Sequence, residues 1–315
     1  MAAQPSTRAS SPALHAVRLD ALAERPVLTA VVAALIIASS GILVKLADVP
    51  PATAAVFRCA YALPFLVLLA RAERRAYGPR AASQVRWAWL AGVFFAIDLE
   101  LYHHTIQLVG AGLATVLGNT QVVFVAILAW LILHERLPLR TALAIPVVLA
   151  GVTLISGIIG SGAYGANPQL GVVIGLATGL SYAAFLLILR HGNADLRQPA
   201  GPLFDATLSA TIVSLAIGWP LGELELVPTW PSHGYLLALA ISSQVVGWLL
   251  ISLSLPRLPA ALTSVVLTLQ PVGAVILAMI ILGESPNAVQ LLGAASILAG
   301  LLLATVGRRG QEQSP

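Results

Sequence analysis

The chain has 315 residues, of which 58% are hydrophobic and only 10% are charged, and its formal net charge is +4. Soluble domains carry about 25% charged residues, so this composition excludes an ordinary soluble fold and predicts a polytopic membrane protein embedded in a lipid bilayer. The basic residues are spread over short loops, which argues against nucleic-acid binding. A single cysteine, Cys59, excludes intrachain disulfides and cysteine-based metal sites, and we expect no metal or other cofactor.

Ten apolar spans follow a polar N-terminal stretch. Residues 1–26 contain Ser, Ala, Pro and Arg and predict a disordered cytoplasmic tail, and residues 308–315 form a second cytoplasmic tail. A helix needs about 20 apolar residues to cross a bilayer, and the spans are near that length. Their limits are 27–47, 52–70, 87–108, 111–133, 139–159, 169–189, 203–220, 234–254, 259–282 and 286–306.

Lys and Arg are divided unevenly between alternate loops. If the N-terminus is cytoplasmic, 15 of the 17 Lys and Arg residues lie on the cytoplasmic side, Lys45 lies on the other side, and Arg58 lies within a span. Short cytoplasmic loops of membrane proteins carry an excess of positive charge. The distribution therefore predicts ten transmembrane helices with both termini in the cytoplasm.

The second half of the chain repeats the first. Residues 111–158 align with residues 260–307 without a gap, and the third span aligns with the eighth at the same offset. The repeat divides the chain into two five-helix halves, 27–159 and 169–307, joined by an exterior linker over 160–168. The matched polar and glycine residues include Gln121 with Gln270, Glu135 with Glu284, and Gly151 with Gly300.

An odd number of spans in each half places the two halves in opposite orientations. The predicted fold is thus all-α, with ten transmembrane helices in two inverted five-helix repeats. This architecture is typical of secondary transporters, in which the substrate binds near the midplane between the repeats. A channel would instead favour rings of like residues around an open pore.

The chain resembles the drug/metabolite transporter superfamily, in particular its EamA-type branch of ten-helix exporters. The resemblance rests on the duplicated five-helix domain, on the Phe57-Arg58 pair, and on the span ends LILHERL and IILGESP. Family members usually carry a Gly-Glu pair at these span ends. The second half has it as Gly283-Glu284, and the first half has His134-Glu135 instead.

The family also favours a proline in the middle of the fourth and ninth spans. Gln270-Pro271 keeps this proline, whereas Gln121-Val122 lacks it, so we expect the fourth helix to be less kinked than the family pattern implies. The resemblance implies export of small metabolites, often amino acids or related compounds, from the bacterial cytoplasm across the inner membrane. It does not identify the substrate.

The third span carries two polar faces. Ionisable residues at membrane depth usually face a cavity or a partner and indicate a functional site. One face is expected to line a cavity, with Asp98 as its central residue, and the other to contact a neighbouring helix. Helical spacing assigns Asp98, Tyr102 and Thr105 to the first face, and Glu100, His103, His104 and Gln107 to the second.

Arg58 is the one arginine inside a span, at a depth similar to that of Glu100. Because an unpaired arginine is costly at that depth, we expect an ion pair between Arg58 and either Glu100 or Asp98, acting as a structural latch or an outer gate. His103 either takes part in proton coupling, since histidine titrates near neutral pH, or lies at the outer membrane surface.

Further polar and aromatic residues in other spans are candidates for the substrate cavity. Amides both donate and accept hydrogen bonds, which suits zwitterionic or neutral polar substrates. The alternative for each is a role in packing or in hydrogen bonding between helices. These candidates are Asn119, Gln121, Tyr182, Gln244, Trp248 and Gln270.

Two acidic residues lie outside the spans. Glu223 and Glu225 sit in an exterior loop with no nucleophile or base nearby in the sequence, so we assign them no catalytic role. A membrane-embedded enzyme using Asp98, Glu100 and His103 is disfavoured, because these three residues point to two faces of the helix.

The sequence as a whole predicts a secondary transporter that exports a small polar metabolite by alternating access. Coupling to protons through Asp98, Glu100 or a histidine and uncoupled facilitated diffusion are both consistent with the residues. We expect a multi-pass protein of the bacterial inner membrane that is a monomer or a weak dimer, with its substrate, the bilayer and protons as its partners.

Overall fold

The computed structural model describes residues 25–133, 139–192, 198–227, 229–254, 258 and 260–305, and every regular element within them is helical. Residues 1–24 and 306–315, which make up most of the two predicted tails, lie outside the described residues, as does the His134-Glu135 pair. The helices of the first half are α1 (Pro26–Ala38), α2 (Ser40–Ala47), α3 (Pro51–Tyr77), α4 (Ala82–Val109), α5 (Ala111–Gly118), α6 (Gln121–Leu133) and α7 (Leu139–Ile155). Those of the second half are α8 (Pro168–Gly192), α9 (Ala200–Leu221), α10 (Ser232–Leu239), a π-helix (Ala240–Gly247), α11 (Trp248–Ser254), α12 (Ala260–Ile281) and α13 (Ala288–Thr305).

Six helical segments among the described residues are long and apolar enough to cross a membrane. Helices α7, α12 and α13 contain shorter apolar stretches. Helix α4 has 28 residues, but Asp98, Glu100 and its histidines reduce its apolar character. The all-helical membrane class is therefore confirmed. The six segments are Pro26–Ala47, Pro51–Tyr77, Ala111–Ile132, Pro168–Gly192, Ala200–Leu221 and Ser232–Ile251.

Helices of the two halves interleave in matching pairs. Helix α6 packs on α8, and the equivalent helices of the other half, α12 and α1, pack on each other. In the same way, α4 packs on α9, and the equivalent elements, the π-helix and α3, pack on each other. Helices α3 and α9, α5 and α12, and α7 and α13 pack directly on their counterparts in the other half. All eight residues of α5 are buried, so the apolar core is centred where the halves meet.

The fourth span is interrupted rather than straight. Its helix ends at Gly118, turns at Asn119 and Thr120, and restarts at Gln121. The Asn119 amide donates to the carbonyl of Thr115 at 2.8 Å, and the Thr120 hydroxyl donates to the carbonyl of Leu117 at 2.6 Å. These side chains compete with backbone amides for carbonyls. The expectation that a missing proline leaves this helix less kinked was therefore wrong.

Two further irregularities occur in other spans. Helices α1 and α2 are separated at Ser39, whose hydroxyl donates to the carbonyl of Ile36 at 2.7 Å. The eighth span widens into the π-helix, which contains Ser243 and Gln244. Mid-helix π-segments are rare and often mark functional sites, and all three irregular segments approach the same region between the halves.

Glu284 of the second half caps a helix of the first half. Its two carboxylate oxygens accept hydrogen bonds from the amides of Ala111 at 2.6 Å and Gly112 at 3.2 Å, the first two residues of α5. The first amides of a helix lack intrahelical partners and favour a negative charge. Gly110 precedes them with a φ of +88°, and a Cβ there would lie 2.6 Å from the Glu284 carboxylate, so this position requires glycine.

Glu73 of the first half makes the reciprocal contact with the second half. Its carboxylate accepts hydrogen bonds from the amides of Ala200 and Gly201, each at 2.9 Å, at the start of α9. Beside it, Arg80 forms an ion pair with Asp205. Each half thus supplies a carboxylate that completes a helix start in the other.

Candidate functional site

A polar cavity of about 80 Å³ lies between the two halves. Since one water molecule needs roughly 10–15 Å³ of such volume, the cavity has room for several waters or a small polar group. Its wall joins residues from both halves, including residues at the interruptions near Ser39 and at Asn119. The lining residues are Ile37, Ser40, Arg58, Phe95, Asp98, Leu99, Tyr102, Thr115, Gly118, Asn119, Thr178, Tyr182, Trp248 and Gln270.

Asp98 faces this cavity from the middle of α4. The residue is 7% exposed, and within the described ranges its carboxylate forms no hydrogen bond and no ion pair within 4.0 Å. A buried charge without such partners is costly. The side chain is therefore available for a proton or for a positively charged group of a ligand.

Arg58 is held by the π-helix rather than by a carboxylate. Its Nε donates to Gln244 Oε1 at 3.2 Å, and a terminal nitrogen donates to Ser243 Oγ at 3.5 Å. The Gln244 amide in turn donates to Thr207 Oγ1 at 3.2 Å. This chain of hydrogen bonds joins α3, the π-helix and α9 and leaves the guanidinium on the cavity wall.

The predicted ion pair of Arg58 with Glu100 or Asp98 is not formed. The ion pairs that the structure contains among its described residues are Arg80–Asp205 and His104–Glu223. The π-helix provides neutral acceptors for the guanidinium, and Glu100 lies on the opposite face of α4 from the cavity. Asp98 and Arg58 share the cavity without direct contact, which keeps both charges open to a ligand.

Tyr102 and Asn119 belong to one hydrogen-bond chain on the α5 side of the cavity. The Thr115 hydroxyl donates to the carbonyl of Ala111, so the Tyr102 hydroxyl, 2.8 Å from Thr115 Oγ1, acts as the donor between them. The Asn119 amide donates to the carbonyl of Thr115. A Cβ on Gly41 would lie 2.7 Å from the Tyr102 hydroxyl, so a small residue is needed there.

Part of the cavity lining is aromatic. Phe95 stacks on Phe185 with ring centroids 4.7 Å apart, and Tyr182 lies parallel to Phe185 at 6.0 Å. Trp248 meets all three rings edge-on. Such pairs hold rings in fixed orientations, and Phe95, Tyr182 and Trp248 form the aromatic part of the cavity lining.

Four of the predicted site residues do not line the cavity. Gln121 is partly buried at the start of α6, where α8 packs closely at Gly179. Gln244 is fully buried behind Arg58. Glu100 faces away from the cavity, and His103 turns toward α3, with Nδ1 3.1 Å from the Pro51 carbonyl.

Seven of the candidate residues line this cavity: Arg58, Asp98, Tyr102, Asn119, Tyr182, Trp248 and Gln270. The analysis of the sequence missed Ser40, Phe95, Thr115 and Thr178. Ser40 could have been found from the Ser-Ser pair inside an apolar span, and Phe95 from its position one turn before Asp98. The two threonines carry no such signal.

These features define a multi-pass membrane protein with a small amphipathic cavity between two related halves, the arrangement of a transporter. Two stretches of the chain, residues 25–157 and 169–306, match the EamA-like transporter family. The chain belongs to this family, which confirms the family resemblance and the two repeats. The matches are to transporters and not to enzymes.

Two relatives carry transporter names without a stated substrate. "Uncharacterized transporter YetK" of Bacillus subtilis (strain 168) is 24% identical over 212 residues, which cover 64% of this chain and 61% of that relative. The chain thus matches about three fifths of that protein's length. An "Uncharacterized transporter" of Archaeoglobus fulgidus is 25% identical over 218 residues, covering 67% of this chain and 73% of the relative.

A solved crystal structure shares the fold. It superposes with a TM-score of 0.58 at 17% identity and covers 90% of this chain and 96% of the solved one. At this identity the likeness concerns the fold alone.

Proposed function

We propose that this protein is a secondary transporter that exports small polar metabolites, amino acids or related compounds, across the bacterial inner membrane. The observation that carries the proposal is that Arg58 and Asp98 both line the cavity without direct contact between their charged groups. A guanidinium suits a carboxylate and an aspartate suits an ammonium group. The site therefore favours a zwitterion, with the aromatic wall beside its side chain.

Alternating access is supported by the matched helix pairs of the two halves. We propose ten transmembrane helices in two inverted repeats with cytoplasmic termini, in a monomer or weak dimer. In this arrangement one half rocks against the other around a central site, and interrupted helices contribute backbone groups to that site. The breaks at Ser39 and Asn119-Thr120 border the cavity, as this mechanism requires.

Proton coupling through Asp98 is part of the proposal, because its carboxylate faces the cavity and accepts no hydrogen bond from the residues that the structure describes. Uncoupled facilitated diffusion is the second candidate. The observation that favours it is the Arg58 guanidinium on the cavity lining, because a permanently charged group can bind an anionic substrate without taking up or releasing a proton.

The test is transport in proteoliposomes loaded with a panel of amino acids and other small metabolites, with and without a pH gradient. Wild type, Asp98→Asn and the exposed-loop control Glu225→Gln are compared. Coupled export predicts that the gradient accelerates efflux in wild type and Glu225→Gln but not in Asp98→Asn. Efflux at the same rate with and without the gradient in all three proteins identifies a facilitator. If no compound of the panel is exported, the proposed substrate class of small polar metabolites is wrong.

A further inference from the structure

A second polar cluster lies on the face of α4 that points away from the cavity. Glu100 and His104 of α4 meet Glu223, which follows α9 in the chain, and one ligand atom from each residue lies within 4.8 Å of the other two. His104 Nε2 is 3.6 Å from Glu223 Oε2. The two helix residues come from the first half and Glu223 from the second, so the cluster bridges the halves.

The cluster contains buried polar atoms that form no hydrogen bond within the described part of the chain. Both oxygens of Glu100, which is 5% exposed, form no hydrogen bond with the described residues, and the same holds for Glu223 Oε2. No Arg or Lys of the described residues lies within 4.0 Å of either carboxylate. In the ranges that the structure describes, the Glu100 carboxylate thus has neither a hydrogen bond nor an ion pair, and the Glu223 carboxylate has only the His104 imidazole at 3.6 Å, which indicates a missing positive charge.

Glu73 and Glu223 differ in the hydrogen bonds that their carboxylates accept. Helices α3 and α9 pack on each other. Glu73 lies near the end of α3, beside the start of α9, and Glu223 follows the end of α9, beside the start of α3. Glu73 binds two amides at the start of α9. Glu223 lies beside the start of α3, where the first helical residue, Pro51, has no N–H to donate. Its carboxylate lies next to Glu100 and His104 instead.

The backbone holds Glu223 in this place. The Thr53 hydroxyl donates to the carbonyl of Glu223 at 2.7 Å and accepts from the amide of Glu225 at 2.9 Å. The amide of Glu223 donates to the carbonyl of Gly218 at 3.1 Å. The loop is thus fixed before any ligand binds, which is the condition for a preformed site.

We propose that Glu100, His104 and Glu223 bind a divalent transition-metal ion of the Zn²⁺ type. One imidazole nitrogen and two carboxylates suit such an ion, because imidazole selects it over Mg²⁺ and Ca²⁺. Ligands of a tetrahedral Zn²⁺ at about 2.0–2.1 Å lie roughly 3.3 Å apart, close to the His104–Glu223 distance. The side chains of His104 and Glu223 are 33% and 24% exposed, which provides an entry path.

The ion neutralises the two carboxylates and ties α4 of the first half to the α9–α10 loop of the second half. The sequence gives no sign of this, because Glu223 is far from Glu100 and His104 in the chain.

The test is isothermal titration calorimetry with Zn²⁺ on the purified full-length protein without a polyhistidine tag, in detergent micelles. We expect one Zn²⁺ per chain in wild type. Glu100→Gln and Glu223→Gln should weaken binding by about tenfold or more, since even supporting partners of metal ligands are worth roughly 10–100-fold in affinity. Glu225→Gln, in the same loop but exposed and outside the cluster, should bind as wild type does.

Titration with Co²⁺ provides a second readout, because its visible absorption reports a nitrogen and oxygen ligand set of low coordination number. Size-exclusion profiles identify any variant that fails to fold, and for such a variant His104→Gln replaces it. Binding that is lost in the cluster variants and kept in Glu225→Gln supports the site. Wild type that binds no Zn²⁺, or cluster variants that bind it equally well, would overturn the proposal.

Discussion

The Arg58 guanidinium donates to the side-chain oxygen of Gln244 at 3.2 Å, and this bond links α3 of the first half to the π-helix of the second. This hydrogen bond holds the positively charged Arg58 side chain at the cavity wall. Without it, the guanidinium would retain only the longer bond to Ser243.

Replacement of Gln244 by Leu should therefore destabilise the protein. Hydrogen bonds to charged groups contribute about 1.5–3 kcal/mol, and Gln244→Leu should lower the free energy of unfolding by an amount in that range. Equilibrium unfolding in mixed micelles measures it. Ser242→Ala is the matched control in the same π-helix, because the Ser242 hydroxyl has no partner among the described residues. Equal loss in both variants would show that Gln244 has no special role.

The two capping carboxylates should contribute independently. Removal of a helix cap costs about 0.5–2 kcal/mol, so Glu284→Ala and Glu73→Ala should each lower the free energy of unfolding by that amount. They cap different helices and share no partner, so the double variant should show the sum of the two losses. Exposed Ser285→Ala is the control beside Glu284. A double variant no less stable than either single one would contradict independent caps.

Helices α7 and α13 approach each other too closely for a side chain at Gly151. A Cβ there would lie 2.6 Å from the carbonyl oxygen of Gly293. Overpacking of this kind costs about 1–3 kcal/mol, so Gly151→Ala should lower the thermal midpoint in detergent. At Gly118 the nearest atom would be 3.6 Å away, and Gly118→Ala should leave the midpoint unchanged. Equal midpoints for the two variants would refute the close approach.

If the transport and metal proposals both hold, Zn²⁺ should slow transport. The ion would hold α4 against the α9–α10 loop of the other half, and alternating access requires the halves to separate there. Zn²⁺ added on the side of this loop should reduce wild-type flux near its dissociation constant. Glu223→Gln should transport at a rate that Zn²⁺ does not change. Calorimetry separates the two proposals: binding without inhibition leaves the site intact and contradicts this role in the transport cycle.

Much of the site was predictable because helical periodicity sorts side chains by face. The spacing of Asp98 and Tyr102 placed both on one face of α4, and the structure puts both on the cavity. Glu100 and His103 were assigned to the second face, and they do lie away from the cavity. The division of the chain into two halves followed from the repeat, which the family match supports.

The unpredicted parts depend on interactions that periodicity does not report. The break at Asn119 arises from side chains that bind nearby carbonyls, and proline counting overlooks such bonds. The partner of Arg58 depends on a π-helix, whose register shifts residues away from the regular positions. The contact of Glu223 with Glu100 and His104 depends on how a loop folds back over α3.

The reciprocal contacts of Glu73 and Glu284 bear on how the two halves come to be folded. A half made alone would have a helix start with two unsatisfied amides, and its own glutamate would lack the two amides that it binds in the complete protein. Neither half can correct this from within. The linker at residues 160–168 keeps the two halves at a high effective concentration. The halves therefore depend on each other as the subunits of an obligate dimer do, but a covalent connection brings them together.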